Sequence, residues 1–343
     1  MQRIWSISLV ILLALVGWFG DLAWYGVQQG IGQAKILMNT QEVSEVMADP
    51  NFPDSLKAKL EFIQEVREYA QDSLGLNDSE NYTSIYDQGG KNSLWVVQAC
   101  PEFSLEPFTW RYGFLGKLPY RGYFDSLKCV KLANELDELG YDVDVDPVQA
   151  WSTLGWFRDP ILSNMLNDDE GMLARLIIHE LTHSTLYVES DAEFNENLAT
   201  FVGDQGAYLF LEDKYGIKSN EYRSYSGRMQ DVDLFVDAAM REYKMLEQLY
   251  QSFPDTMNVE TKRQRKQEFF NQSLYRFKRI PFSQKDRFKI LQRDTISANN
   301  TYFMGLGLYR KQQSSMDSLF KAAYGSDFNR FMAGMKQEYG IED

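Results

Sequence analysis

The sequence predicts a predominantly α-helical α+β fold with a small sheet, set behind an apolar N-terminal segment. Three observations carry this expectation. From Gly171 onward apolar residues recur every three or four positions, with few interruptions. Between about residues 82 and 157 lie short β-rich and alternating stretches punctuated by glycine and proline. Residues Ile4–Gly20 read IWSISLVILLALVGWFG, without a charge.

Composition narrows the function. A chain of 343 residues, 44% hydrophobic and 14% aromatic, can bury a large core and is not disordered. The net charge of −14, with no basic stripe to offset it, excludes a nucleic-acid partner. Four basic residues within Lys262–Lys266 read as a solvated helix face. Cys100 and Cys129 are too few for a disulfide scaffold or an all-cysteine metal site, though one bridge stays open. The chain has only two histidines, so any imidazole chemistry falls to those two.

The elements follow in order. Arg3 precedes the apolar run, Asp21 follows it, and Trp18, Phe19, Trp24 and Tyr25 suit an interfacial belt. Residues 1–24 therefore read as an uncleaved signal anchor, with a cleaved signal peptide or a buried core helix as the alternatives. Either of the first two places residues 25–343 on the extracytoplasmic side, as one domain. Residues 26–47 and 54–74 look helical, the second with Leu56, Leu60, Ile63, Val66, Ala70 and Leu74 in register behind an Asp54 cap. Tyr82–Gln98 suggests a hairpin turning at Gly89-Gly90. Residues 126–138 form a short helix. Tyr141–Val148 alternates Asp142, Asp144 and Asp146 with Val143 and Val145, as a strand with one wet face does. A calcium loop is excluded there, because Pro147 stands where a glycine is needed and Thr153 where a glutamate is needed. WSTLGWF at 151–157 has the composition of an edge strand able to pair with a substrate backbone. Long helices are expected near 172–187, 194–213, 228–252, 259–275 and 299–323.

The chemistry concentrates in LIIHELTHSTLY at 176–187. This is H-E-x-x-H, with His179, Glu180 and His183, and it holds both histidines of the chain. On a helix, positions four apart differ by about 40° in azimuth, so both imidazoles leave one face and can share a metal. Glu180 lies about 100° round from His179, beside the metal's open position, where a general base belongs. A catalytic zinc takes three protein ligands and leaves a fourth position open. With no histidine left, the third ligand is a carboxylate. Glu189, Asp191, Glu193, Glu196 and Asp204 follow the motif. Glu196 is best placed, since its helix face continues as Ala199, Thr200, Gly203 and Gly206/Ala207. Small residues let two helices approach closely enough for a carboxylate to reach its neighbour's metal. Glu193 is the alternative.

Asn195-Glu196-Asn197-Leu198-Ala199 resembles the N-E-x-x-A of gluzincin metallopeptidases. More closely, HELTHSTLYV followed by FNENLATFVGDQGA resembles a bacterial family of predicted aminopeptidases. YGVQQGIGQAKIL at 25–37, PEFSLEP at 101–107, PYRGYFD at 119–125, WSTLGWFRDP at 151–160 and Ala298-Asn299-Asn300 extend the likeness over most of the chain. The resemblance implies a zincin-like metallopeptidase domain. Members often look like lipoproteins, with a cysteine just after the apolar run. Here GWFGDLAWYG has none, so no lipid anchor is expected.

The expected activity is hydrolysis of a peptide or protein substrate by a zinc-activated water, with Glu180 taking and returning the proton. An aminopeptidase is the first expectation. An endopeptidase and a non-catalytic metal- or partner-binding protein are the alternatives. The developing oxyanion needs a second electrophile. Histidine is excluded by count, and PYRGYF offers Tyr120, Arg121 and Tyr123. The amine-binding carboxylate of an aminopeptidase stays open among Glu102, Glu106, Glu189 and Glu193.

Overall fold

The computed structural model describes residues 23–341, apart from 113–115, 151–152, 154–156, 289–290, 292–293, 295 and 311–312. The expected anchor, residues 4–24, lies outside the described residues except for its last two. Among the described residues no helix is long and apolar enough to cross a membrane.

The chain opens with helix α1 (23–37), strand β1 (Thr40–Glu42) and helix α2 (Val43–Ala48). The single helix expected over 26–47 is therefore two helices split by a strand. Thr40 Oγ1 donates to Leu37 O, taking up a carbonyl at the end of α1. Strand pairing with a later segment then decides the conformation of Thr40–Glu42. Helix α3 (Asp54–Leu74) has the expected bounds and buries Leu60, Ile63, Val66, Ala70 and Leu74. Pro53, not Asp54, occupies its cap position; Asp54 sits in the first turn, where its charge faces the positive end of the helix.

The segments expected as one hairpin belong to different sheets. Strand β2 (Ser84–Tyr86) pairs with β1, and β3 (Trp95–Pro101) lies elsewhere. Gly89 and Gly90 do take left-handed conformations. However, the buried Gln88 side chain binds the backbone N–H of Asn164 and the Ser93 hydroxyl, leading the chain away from β2. Strands β4 (Trp110–Tyr112) and β5 (Gly116–Leu118) form a two-stranded ribbon, followed by β6 (Tyr120–Tyr123). Helix α4 (Ser126–Glu138) starts at Asp125, whose carboxylate accepts from Leu127 N. Strand β7 (Tyr141–Pro147) matches the aspartate-alternating segment. Short β8 (Ile161–Leu162) pairs parallel with β2. The single small sheet expected between 82 and 157 is thus two three-stranded sheets, β1-β2-β8 and β6-β3-β7, plus the ribbon. Both β1 and β8 fall outside the expected bounds.

The remainder is helical: α5 (Glu170–Thr185), α6 (Ala192–Tyr215), α7 (Asn220–Gln251), α8 (Val259–Lys278), α9 (Thr301–Arg310), α10 (Gln313–Tyr324) and α11 (Phe328–Tyr339). Helix α7 starts eight residues earlier than its expected start at 228, capped by Ser219. The helix expected over 299–323 is described as α9 and α10. Helix α11 was not anticipated, although Phe328, Phe331, Met332 and Met335 bury one periodic face.

Three apolar clusters hold these elements. The largest joins α3, α5, α6, α10 and α11. A second gathers α7, α8 and α9, and a third packs the β6-β3-β7 sheet on α4. A buried polar network stitches the second to the third. Lys266 Nζ on α8 reaches Asp142 Oδ2 at 2.5 Å and Glu102 O at 2.9 Å. Asn300 N donates to the same carboxylate, while Asn300 Nδ2 donates to Pro101 O and Ser104 O. PEFSLEP and Ala298-Asn299-Asn300, far apart in sequence, meet in this way. Cys100 and Cys129 are both free thiols buried near the sheet, so no bridge joins them.

Candidate metal centre

The site is built by two neighbouring antiparallel helices. Asp169 caps α5 by accepting from Met172 N, and Asp191 caps α6 by accepting from Phe194 N. Between them the loop closes on one buried side chain. Val188 N donates to Asn195 Oδ1 and Asn195 Nδ2 donates to Val188 O, both at 2.8 Å. That clasp fixes where α6 begins, and so where Glu196 stands. The helices approach closely because of the small residues on α6. A Cβ at Gly203 would lie 2.9 Å from Arg175 O and 3.2 Å from His179 Cβ. One turn before His179, Arg175 forms a buried ion pair with Asp204, and Tyr225 of α7 donates to Asp204 O.

His179, His183 and Glu196 converge. His179 Nε2 and His183 Nε2 are 3.2 Å apart, and Glu196 Oε2 lies 3.5 and 3.6 Å from them. Ligands held about 2.0–2.1 Å from a tetrahedral zinc are separated by about 3.3–3.4 Å, so the three edges suit a common ion. The donor set, two imidazoles and one carboxylate, suits it chemically. Of the other acids after the motif, Asp204 is paired with Arg175 and Asp191 is spent as a cap. Neither these nor Glu189 and Glu193 join the convergent group among the described residues.

Burial and mutual charge set the protonation. Burial pushes the Glu196 carboxyl up, but His183 and His179 outweigh it and hold it down to about 2. Burial lowers the His179 pKa, whereas at His183 the same burial is overcome by Glu196 and Glu180, which raise it. Glu180 stays off the triangle. Its burial, aided by Glu196 and Asp159, pushes its carboxyl up to about 7. Two buried polar atoms near the site, His179 Nδ1 and Thr200 Oγ1, have no hydrogen-bond partner among the described residues.

Strand alternation separates the three residues of PYRGYF. Tyr120 lies near the centre: burial raises its phenol pKa, with Glu196, Tyr187 and Glu180 as further contributors. Arg121 and Tyr123 take the opposite face. The Arg121 guanidinium lies 4.2 Å from the Tyr25 ring centroid, and Tyr123 packs with Val97 and Cys129. These two are therefore not brought to the metal centre. Of WSTLGWF, residues 151–152 and 154–156 lie outside the described residues. Thr153 N and Oγ1 donate to the Asp159 carboxylate at 2.7 and 2.8 Å.

Tyr187, Tyr82 and Asp159 also neighbour the centre, and no sequence motif singles them out. Tyr187 follows the H-E-x-x-H helix, and the charge of Glu196 helps raise its phenol pKa. Its position at the end of LTHSTLY was the only signal available. Tyr82 is fully buried at φ +62°, and its hydroxyl lacks a hydrogen-bond partner among the described residues. Burial raises its pKa first, then Glu180 and Asp159. Tyr82 N donates to Asp159 O at 2.7 Å, a pairing across 77 positions that no local pattern announces.

A model of the family described as "Putative aminopeptidase" matches residues 24–341. No curated protein and no solved structure matches the chain.

Proposed function

We propose, from the premise that the chain belongs to the family of putative aminopeptidases, that it is a zinc-dependent peptidase releasing N-terminal residues from peptides. The observation that carries the metal reading is the convergence of His179 Nε2, His183 Nε2 and Glu196 Oε2 with Glu180 beside them. Zinc held by such a set acidifies water toward neutrality and polarises a peptide carbonyl. Glu180, buried and uncommitted to the triangle, takes a proton at its carboxylate and returns it to the leaving amine. Without the metal, burial already raises its pKa toward neutrality, the direction a group that takes and returns a proton needs. We assign Tyr120, whose phenol senses Glu196 and Glu180, as the donor to the developing oxyanion, and its raised pKa keeps the phenol protonated for that task. Cleavage at the N-terminus rests on the family's description. The apolar run Ile4–Gly20 supports tethering to a membrane, with the metal centre on the extracytoplasmic side.

The test combines metal content with substrate choice. Purified protein should carry about one zinc per chain and hydrolyse aminoacyl-p-nitroanilides, losing activity to a chelator and regaining it with zinc. N-acetylated analogues should resist. Equal cleavage of the acetylated substrates would turn the reading to an endopeptidase. Zinc without hydrolysis of any peptide would leave a metal-binding protein.

A further inference from the structure

Helix α1 leaves one face uncovered. Trp24, Val27, Ile31 and Ala34 fall within an arc of about 80° at 100° per residue, and Met38 follows just past the end of the helix. All five are exposed, Ile31 at 64% and Met38 at 83%. The opposite arc is occupied. Tyr25 OH donates to Gly122 O, Gly32 abuts the Phe124 ring, and Gln33 and Ile36 are buried. Lys128 Nζ of α4 reaches Gln28 Oε1 at 2.8 Å, so the first turn of α4 lies beside α1. Leu127 and Val130 are exposed on that neighbouring helix too. Single exposed apolar residues need no explanation, but four in register, a fifth just beyond them and two more on the next helix do.

The sequence next to this face offers a cover for it. The uncharged run ends at Gly20, and α1 is already helical at residue 23. Three Cα steps span at most about 11 Å. If the run enters a bilayer, α1 starts at the surface of that bilayer. Trp24, at the near end of the stripe, is a residue suited to headgroup depth. The exposed Lys35 borders the stripe and Lys128 stands on the adjoining helix, both able to meet anionic headgroups.

We propose that this face of α1, with Leu127 and Val130, lies in the headgroup region of the bilayer entered by the N-terminal run. The contact orients the metal centre relative to the membrane, where a tether alone would leave it free to turn. The inference rests on membrane tethering and is independent of the metal reading.

The test uses the full chain reconstituted in phosphatidylcholine–phosphatidylglycerol vesicles. An environment-sensitive dye is placed at Ile31→Cys, Met38→Cys or Leu127→Cys, with exposed Ser252→Cys as control; the native cysteines are buried. Spin-labelled lipids should quench the first three several-fold more than the control, and iodide should quench them less. Adding Val27→Glu to Met38→Cys should abolish the lipid quenching while the protein still floats with the vesicles. Equal access of iodide to Ile31, Met38 and Ser252 in floated protein would overturn the proposal. So would protection from iodide without lipid quenching, since residues 4–20 or a second copy would then cover the face. Protein that does not float would remove the tether and the docking together, and leave the zinc assay as the separate measure of the metal reading.

Discussion

Glu180 and His183 are three positions apart on one helix, yet substitutions at them should have opposite signatures. His183 Nε2 is a corner of the candidate ligand triangle, so His183→Ala should lose the metal, and metal analysis showing full zinc would refute the assignment. Glu180→Gln leaves all three ligands in place. It removes the group proposed to move the proton, and general-base catalysis is worth about 10²–10⁴-fold. Zinc should be retained while kcat falls by at least about 10². Zinc loss, or turnover near normal, would count against Glu180 as the base. Asp159 offers a measurement independent of activity. Burial raises its carboxyl to about 6, against about 3.9 in an unfolded chain, although the bonds from Thr153 pull it down. A raised carboxyl pKa means that the folded state holds the proton more tightly. Its contribution is fully present below about pH 4 and is lost as pH rises through about 6. Glu180 shifts stability in the same direction and Glu196 in the opposite one, so the informative quantity is a difference between proteins. Asp159→Asn should lose less stability than the parent between pH 4 and 6 in urea titrations. Parallel profiles would exclude Asp159 as the source.

At the scale of elements, the centre depends on how closely α5 and α6 approach. Two glycines of α6 face different obstacles. A Cβ at Gly203 would press on the backbone carbonyl of Arg175 and the root of His179, neither of which can swing aside. A Cβ at Gly206 would meet the methyl ends of Leu74 and Ile178, which can change rotamer. Gly203→Ala should therefore push the helices apart and weaken zinc affinity, with overpacking costing about 1–3 kcal/mol. Gly206→Ala should cost stability with little change in zinc affinity, as chelator competition would report. The reverse order would mean that helix spacing does not set the ligand geometry. These two helices were legible in the sequence because each carries a signal complete within itself. One is the H-E-x-x-H spacing; the other is the glutamate followed by small residues every three or four positions. The strands were less legible. Ser84–Tyr86 and Trp95–Pro101 have hairpin composition on either side of a glycine turn, but they join different sheets because Gln88 fastens the connection to Ser93 and Asn164. No pattern within 82–98 encodes those partners.

Across the whole molecule, the same distinction separates what could be read from what could not. The three residues of PYRGYF were equivalent as sequence. They part company only because β6 pairs with β3, which sends Tyr120 to the centre and Arg121 and Tyr123 toward α1 and α4. Tyr82 and Asp159 likewise come near enough to Glu180 to interact with its charge, through pairings between distant segments. The candidate metal centre lies against the largest apolar cluster, where Leu173, Ile177, Ile178 and Leu181 of α5 pack in one core with Leu198, Phe201 and Val202 of α6. Those contacts do not involve the metal, so the metal-free protein should remain folded. Yet the ligands come from both helices, and the unfolded chain does not hold them together. Binding only to the native state stabilises it by about 4 kcal/mol when free ligand is a thousand times its Kd. Removing zinc should therefore lower Tm by several degrees, with near-native helix content by circular dichroism at 25 °C, and the shift should grow with free zinc. In His183→Ala the chelator should have no effect on Tm. A metal-free protein unfolded at 25 °C would make the metal a structural necessity. A Tm indifferent to zinc in the parent would mean that the triangle binds none.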